Sequence, residues 1–578
     1  VKNCFVGDFE TTTKEEDCRV WLWGLYNLEN SKFLNGNNIE SFFEYFFQLP
    51  SNSKFYFHNL KFDGEFIFYY LFRNGFKHTK ELKVENGEFS TLISNMGVFY
   101  VINICHNDKN YYIYDSLKII PLPVKKISKA FNIEQKKGEI DYILERGTDY
   151  IPTVDEIDYV QNDVEIVGKA LKYFFNQNLN KMTQASNAFY DYRKIMGTKR
   201  FDKLFPKLNS IDKELRQSYK GGFVYANPKY QNKEVKNGIV LDINSLYPWV
   251  MYECMLPYGE PIAYQGKYKT DELYSLYIQM FRCNFELKKG HLPTLQIKKN
   301  LGFQPTEYVS SSNGLDVTLC LTNIDIEQFF EHYDVYNIEW FNGWKFKATN
   351  TLFKEYIDKW TKIKIQATID GNEGLRTLAK LMLNALYGKF GLNPVVKSKF
   401  PTFDGELVHY LEGDSDEREP IYIPVASFVT AYARKTTIES CQKNYERFLY
   451  ADTDSQHLLG EEIPTNLKVD SAELGYWKYE GKFNKAKFLR AKSYIENMYL
   501  TFEEWDKLSD ENKGKWEHNP LTNEYEQTHI ACAGLPTSLH KNITFDTFKN
   551  GLVVSGKLQH KRVKGGVILK DIDFTIKI

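Results

Sequence analysis

Two short apolar stretches, Arg447 to Asp452 and Ser455 to Leu459, stand so close together that only a tight turn fits between them. The pattern predicts a β-hairpin. Its turn carries Asp452 and Asp454, and alternate side chains of an extended chain share a face. Two carboxylates can therefore meet one divalent cation. A second strand-like run, Gly238 to Asp242, also ends in an acid. Mg²⁺ takes oxygen ligands from one or two carboxylates and completes its shell with water and substrate phosphate. Two such ions about 3.5–4 Å apart stabilise the attacking and leaving oxygens of an in-line phosphoryl displacement. Taken alone, an Asp-x-Asp pair is more often a surface turn.

A helix expected over Leu375 to Phe390 adds a second constraint. Arg376, Lys380, Asn384 and Tyr387 fall within about 80° of one another at 3.6 residues per turn. Leu378, Leu381, Met382 and Ala385 occupy the other side. A polar stripe is commonly just the wet face of a helix. Here it sets a cation, an amide and an aromatic ring in register, which suits a triphosphate and a base or sugar.

A further acid set lies upstream: Asp8 and Glu10 on one strand face, Asp63, and Asp163. Tyr159 and Asp163 are i and i+4, on one side of a helix expected over Val154 to Phe174. Four acids can hold two metals and activate water for phosphodiester hydrolysis, with the Tyr159 hydroxyl positioning that water. Read singly, each pair is also compatible with an ordinary strand edge or a solvated helix face.

The chain of 578 residues is too long for one core and predicts three to five structural units. A short apolar run ends in acid at Cys4 to Phe9, with Arg19 to Tyr26 as its hairpin partner. Ile39 to Leu49 is helix-like, Lys54 to His58 is a strand, and Lys181 to Lys207 is a polar helical boundary region. Apolar runs such as Phe66 to Phe72 stop far short of the roughly 20 residues of a membrane span. The first ten residues lack a basic-then-apolar leader, as expected of a chain with no secretory signal. Eight cysteines without a Cys-x-x-Cys pair predict neither a zinc site nor a disulfide scaffold, and the expected location is the cytoplasm. Net charge is −1, but it averages basic runs (Lys482 to Lys492, Lys557 to Lys564) against acidic clusters (Glu412 to Glu419, Glu503 to Glu511). Charges more than about 10 Å apart are largely screened, so local fields matter more than the sum. The 40 Tyr and 42 Phe can stack bases or reflect a compositional bias of the genome.

The strings DINSLYP (242–248), KLMLNALYG (380–388) and YADTDS (450–455) resemble, in that order, motifs A, B and C of family B DNA polymerases. YKGG (219–222) and KSY (492–494) match two more motifs. The chain most resembles the protein-primed DNA polymerases of small Bacillus-type phages with linear genomes, from about residue 5 to the C-terminus. The resemblance implies a mixed α+β fold: an RNase H-like exonuclease domain over 1–183, then a right-hand polymerase domain over 184–578. Within the latter it implies a palm around 184–253, 352–362 and 424–530, fingers around 363–390 and a thumb around 531–578. Two family insertions would fall at 254–351 and 391–423, the second a protruding hairpin. They would serve to bind the priming protein, encircle DNA and split the downstream duplex.

The resemblance also implies site roles. Asp242 and Asp454 would hold the metals, Mg²⁺ or Mn²⁺, with the Ile243 carbonyl assisting and Asp452 supporting. Lys364 and Lys380 would contact the triphosphate, and Leu246, Tyr247 and Tyr387 would line the nucleotide pocket. Tyr247 would exclude a ribose 2′-hydroxyl. Tyr219, Gly221, Gly222, Lys492 and Tyr494 would contact DNA, the last two at the primer terminus. Ala385 stands where the family has serine and Arg376 where a lysine is usual. The segment between Lys364 and Lys380 is a few residues longer than in the family.

The upstream acids resemble the three motifs of the family's 3′–5′ exonuclease. Asp8, Glu10, Asp63 and Asp163 would be its metal ligands with Glu139 as an extra acid, and Tyr159 and Lys137 catalytic partners. Thr11, His58, Asn59, Phe62, Ser116 and Leu117 would bind the single-stranded primer end. The implied partners are primer-template DNA, deoxynucleoside triphosphates, a terminal priming protein and a single-stranded DNA-binding protein, with no membrane. Three rivals remain at this point: a nuclease with a DNA-binding C-terminal part, an enzyme using RNA, and a non-enzymatic DNA-binding protein. The last leaves seven acids at matched positions unexplained, because carboxylates repel phosphate unless metals intervene.

Overall fold

A computed structural model describes every residue except 82, 135–139, 297–307 and 578. Among the described residues the strands form sheets of ten, eight, four and two strands. The first sheet is built around Cys4–Thr11. It pairs antiparallel with Val20–Asn27, as the hairpin reading expects, and parallel with Ser53–Phe57. The run VWLWGLY is buried along its length, the mark of a strand covered on both faces. One cover is the helix Val154–Asn176, whose first turn is fixed by a capping box between Thr153 and Glu156. Glycine sets how closely it packs. A Cβ on Gly24 would strike Val160, and one on Gly168 would strike Tyr26. The other cover is phenylalanine-rich, with Phe42, Phe43 and Phe46 of the helix Ile39–Phe46 packed against Phe55, Phe57 and Phe66.

The eight-stranded sheet centres on Glu234–Ile243. This strand lies between Ser455–Leu459 and Trp477–Arg490, antiparallel to both. The helix Ile423–Lys443 lies against it and is buried along most of its length, carrying the polar Ser427, Thr430, Arg434, Thr437 and Ser440 inside with its apolar residues. The expected hairpin forms as Phe448–Asp452 and Ser455–Leu459. The expected helix over 375–390 is present as Glu373–Ala385 and Tyr387–Phe390. Its hydrogen bonding breaks at Leu386, although that residue keeps helical angles (φ −69°, ψ −48°), and Tyr387 turns to stack on Tyr247. Residues 256–349 contribute the four-stranded sheet, in which Tyr333–Thr349 pairs with both Leu256–Gln265 and Leu276–Leu287.

Two late segments return to the first sheet. The hairpin Val395–Phe403 and Val408–Glu417 forms as expected, and its first strand pairs with Glu88–Ser94 through Ser398↔Ser94 and Lys399↔Ile93. Phe403 stacks on Phe72 with ring centroids 5.5 Å apart. The C-terminal hairpin, Val553–Val563 and Gly566–Thr575, buries Val563 and Val567 in the same phenylalanine core. Arg562 reaches Glu65, a carboxylate only 2% exposed, at 3.3 Å. The tip of this hairpin is seated through Gly565, with φ +102° and its Cα against the backbone of Cys18.

No helix among the described residues is long and apolar enough to cross a membrane. Gly565→Ala adds both a backbone penalty and a collision with the Cys18 carbonyl oxygen. Together these should cost the docked hairpin on the order of 2–5 kcal/mol. The expected result is faster amide hydrogen exchange in the helix Leu60–Arg73 and in the hairpin, with exchange in Glu234–Ile243 unchanged.

Candidate functional site

In the eight-stranded sheet, strand register brings the downstream acids together. Asp242 pairs with Ser455 across Glu234–Ile243 and Ser455–Leu459, and the Ile243 N–H donates to the Asp454 carbonyl at 2.7 Å. Burial, then Asp454, then Glu480 push the Asp242 carboxyl up to about 7. Burial also raises Asp454, with Asp452 adding to it. Asp452 is engaged differently. Its two oxygens accept from Lys492 Nζ at 2.8 and 2.9 Å. Tyr450, whose hydroxyl accepts from the Lys492 N–H at 2.8 Å, is fully buried beneath. Tyr494 packs on Tyr450 and on His457, with centroids 5.0 and 5.2 Å away.

The turn itself is strained. Thr453 is β-branched yet has φ +59°, a conformation such residues rarely adopt. It is held from outside: its N–H donates to the Phe223 carbonyl at 2.6 Å, and its carbonyl accepts from Thr437 Oγ1 at 2.6 Å. Gly222 lies against it so closely that a Cβ would come within 2.9 Å of Thr453 Cγ2. The carbonyls of Lys220 and Gly221 each accept from Arg434 Nη1 at 2.9 Å. Tyr219 lies against Gly391, where a Cβ would meet its ring.

The helical stripe faces this centre in part. Tyr387 stacks on Tyr247 at 4.1 Å with the rings 19° from parallel. Lys380 lies near enough to Asp242 to lower its carboxyl. Burial, with Lys380 and Arg376 nearby, lowers Lys364, so three cations lie close to one another. Arg376 is also paired with Glu373 at 2.8 Å. Leu246 and Ile243 bury their side chains in the core.

The upstream acids also converge. Asp8 is raised well above its usual range by burial and by Glu10, Asp63 and Asp163. Glu10 is raised by burial, Asp163 and Asp63, and burial carries Asp163 up to about 6. Asp63, also raised by burial, accepts from the Phe9 N–H at 3.3 Å. Tyr159 stands beside Asp163 and Glu10. Lys137 and Glu139 lie outside the described residues. Around this centre, His58 and Ser116 are bonded to each other at 3.0 Å and to the Leu122 and Phe57 carbonyls. Asn59 has φ +78° and its N–H donates to Asp115 Oδ1 at 3.1 Å. Asn59 is exposed, Phe62 and Leu117 are half-buried, and Thr11 is buried.

Among the described residues no three Asp, Glu, His or Cys side chains close on one point. Each centre offers neighbouring carboxylates rather than a finished shell. Oxygen-only donors that raise one another's affinity for a positive charge fit a hard divalent cation completed by water and phosphate.

The family model described as "DNA polymerase type B, organellar and viral" matches residues 47–152 and 149–473. The chain is 45% identical over 581 residues to the DNA polymerase of Bacillus phage phi29, covering 99% of this chain and 98% of that one. It is 32% identical over 599 residues to the DNA polymerase of Streptococcus phage Cp-1, with 99% and 98% covered. This chain belongs to the type B DNA polymerases. Phi29 DNA polymerase in complex with primer-template DNA superposes with a TM-score of 0.92 at 43% identity, over 99% of this chain and 100% of that one. As a type B DNA polymerase of the phi29 type, the chain carries the exonuclease-plus-polymerase fold class expected of it, and the three rival readings fall away.

Two participants escaped the sequence reading. Tyr142 lies beside Glu10 and Tyr159, near enough for its hydroxyl to lower both. It ends the phrase KKGEIDY, but no spacing rule ties it to the acids. The second is Arg146, which holds the Tyr142 segment in place. Its guanidinium lies 4.0 Å over the Trp21 ring and pairs with Glu156 at 2.6 Å, both side chains buried. Burial alone would raise Glu156, but Arg146, the Thr153 N–H and Tyr150 outweigh it and hold the carboxyl below its usual range. A depressed carboxyl contributes stability above its unfolded value and loses it as pH falls through the folded one. Arg146→Ala should therefore cost about 3 kcal/mol locally near pH 7 by leaving the buried Glu156 without its cation, held only by the Thr153 N–H and Tyr150. Hydrogen exchange in Val154–Asn176 measures it, and the gap to the parent protein should narrow as pH falls below about 4.

Proposed function

We propose that the chain replicates DNA by adding deoxynucleotides at Asp242 and Asp454 and removes misincorporated ends at a separate 3′–5′ exonuclease centre formed by Asp8, Glu10, Asp63 and Asp163. The observation that carries this reading is the pair of carboxylate nests, each raised by burial and by its own members. Mg²⁺, or Mn²⁺, would be held by Asp242, Asp454 and the Ile243 carbonyl at one centre and by the four upstream acids at the other. When bound, such ions supply the positive charge against which phosphoryl transfer develops negative charge. Asp452 supports rather than ligates in this reading, because its oxygens are already committed to Lys492.

The chain's own groups account for the remaining steps. Lys380 and Lys364 receive the triphosphate, as neighbouring cations near the Asp242 centre. Tyr247, backed by Tyr387, presents a ring where a ribose 2′-hydroxyl would stand. Lys492 and Tyr494 hold the primer terminus, with Tyr450 bracing both from below. At the nuclease centre Tyr159 and Tyr142 orient water beside Glu10, and Phe62, Asn59, Thr11 and Leu117 receive a frayed end. His58 and Ser116 position that patch through their mutual bond. Tyr219, Gly221 and Gly222 contact DNA in this reading, and Gly222 lets their loop lie against Thr453.

The strand pairings also support a finer division: an N-terminal exonuclease unit up to about 183, and a polymerase unit with palm, fingers, thumb and two insertions thereafter. The insertion-two hairpin and the thumb hairpin both return to the N-terminal sheet. This supports an enclosed DNA path, strand displacement and priming on a terminal protein, with a single-stranded DNA-binding protein covering the displaced strand.

Two outcomes test the assignment. Asp454→Ala should reduce synthesis by at least about 10³-fold while exonuclease activity on single strands persists, and Asp8→Ala with Asp63→Ala should do the reverse. Loss of both activities in either folded variant would count against separate centres. With the terminal protein of its own genome and a single deoxynucleotide, the enzyme should form a covalent nucleotide–protein adduct, detected by mass. Absence of that adduct, with primer extension intact, rejects protein priming.

A further inference from the structure

One buried ion pair belongs to neither carboxylate centre. The His457 Nδ1–H donates to Glu496 Oε1 at 2.5 Å, and each side chain is 2% exposed. Burial alone would raise the Glu496 carboxyl, but His457 and then His529 outweigh it and hold it below its usual range. Its other oxygen lies 3.9 Å from His529 Nδ1. Glu496 is therefore an ionised acceptor in a place where a charge is costly to bury. Such a pair adds little stability over apolar residues of the same volume, and its best-attested use is to fix one arrangement.

The two residues come from strands that are not neighbours. His457 is in Ser455–Leu459 and Glu496 in Ser493–Leu500, with Glu234–Ile243 and Trp477–Arg490 between them. The pair thus ties the hairpin that carries Asp452 and Asp454 to the strand that carries Tyr494. It also fixes the imidazole, which lies at steep angles to Tyr450, Tyr494 and Phe488 with centroids 5.3, 5.2 and 5.5 Å away. Tyr450 in turn stacks on Phe488 at 5.3 Å. Packed on these rings, Tyr450 presents its hydroxyl in one position, and that hydroxyl accepts the Lys492 N–H at 2.8 Å. Lys492 needs the support. Its φ is +57°, which side chains other than glycine seldom adopt, and its carbonyl accepts from the Ala533 N–H at 2.9 Å.

We infer that the His457–Glu496 pair is a positioning device for the primer terminus: it holds the imidazole against Tyr450, and Tyr450 holds the Lys492 backbone and thereby its ammonium. Both residues act through Lys492 and touch no substrate. This role rests on the proposed contact between Lys492 and the primer terminus. Small displacements matter there, because a misplacement of about 1 Å can lower a rate on the order of 10²-fold.

The test is single-nucleotide incorporation by enzyme preloaded with a phosphorothioate-terminated primer-template. In His457→Phe/Glu496→Leu both buried polar groups are removed together, so the protein should stay folded. Its incorporation rate constant at saturating deoxynucleotide should fall about tenfold, with the KM for the nucleotide within about twofold of the parent. Loss of folded enzyme would instead lower the burst amplitude and leave the rate constant alone. A second variant, His457→Gln, keeps a donor for Glu496 but removes the ring from Tyr450, and should be slowed by the same factor. Glu496→Gln, which still accepts from His457, should stay within about threefold of the parent. In a Lys492→Ala background the double variant should lose less than about twofold more, because the pair then has nothing left to position. A parent-like rate constant in either His457 variant would overturn the inference, as would an undiminished loss in the Lys492→Ala background. If Lys492→Ala itself incorporates at the parent rate, the primer-terminus reading falls and the inference with it. If Lys492→Ala is slow and the His457 variants are not, only the inference falls.

Discussion

Mutual repulsion among buried carboxylates is the constraint on which this molecule's architecture turns. Asp242 faces Asp454, and Asp8 faces Glu10, Asp63 and Asp163, in surroundings where burial already disfavours charge. Such groups separate unless stiff backbone holds them. The chain uses the stiffest it has: central strands of its two largest sheets, and long helices capped or packed at their starts. Asp242 ends the strand paired on both sides, and Asp8 and Glu10 lie on a strand paired on both sides. Asp163 comes from a helix pinned by the Thr153–Glu156 box and by Arg146. Asp452, which also repels Asp454, is the one acid of its centre with a lysine on its oxygens.

The same logic explains why late chain segments fold back onto early ones. The N-terminal sheet buries a core dense in phenylalanine, and its exposed strand edge and helix flank need cover. Val408, Val563 and Val567 supply it from far along the sequence. The buried Glu65 is tolerable because Arg562 arrives with that cover, and the Tyr410 hydroxyl lies beside the same carboxylate. Docking of both hairpins is thereby coupled to the helix that carries Asp63, so the returning hairpins and the upstream carboxylates share one piece of backbone.

Much of this was legible in the sequence wherever a local rule applied. The Asp452–Asp454 hairpin, the Asp8/Glu10 strand and the Tyr159/Asp163 helix face follow from periods of two and 3.6 residues. The polar stripe of Arg376, Lys380, Asn384 and Tyr387 was legible too, but not its interruption at Leu386, because that depends on Tyr247, far upstream. Non-local partners were invisible for the same reason. Nothing in the string KKGEIDY says that Tyr142 reaches Glu10, and nothing near Asp452 says that Lys492 neutralises it. The second insertion was expected to protrude; its hairpin chemistry was readable, while its pairing with Glu88–Ser94 depends on an edge left open by another part of the chain.

Thr453 shows how the distant motifs become one mechanical unit. A β-branched residue at φ +59° costs on the order of 1–3 kcal/mol and persists only where its surroundings over-determine it. Here the surroundings are Phe223 and Gly222 on one side and Thr437 on the other. Gly222 is needed because any side chain would displace Thr453, and Arg434 keeps the preceding carbonyls in place. The loop at 219–222 therefore also sets the angle at which Asp454 meets Asp242. A shift of that loop reaches the Asp242 and Asp454 carboxylates through a single strained peptide.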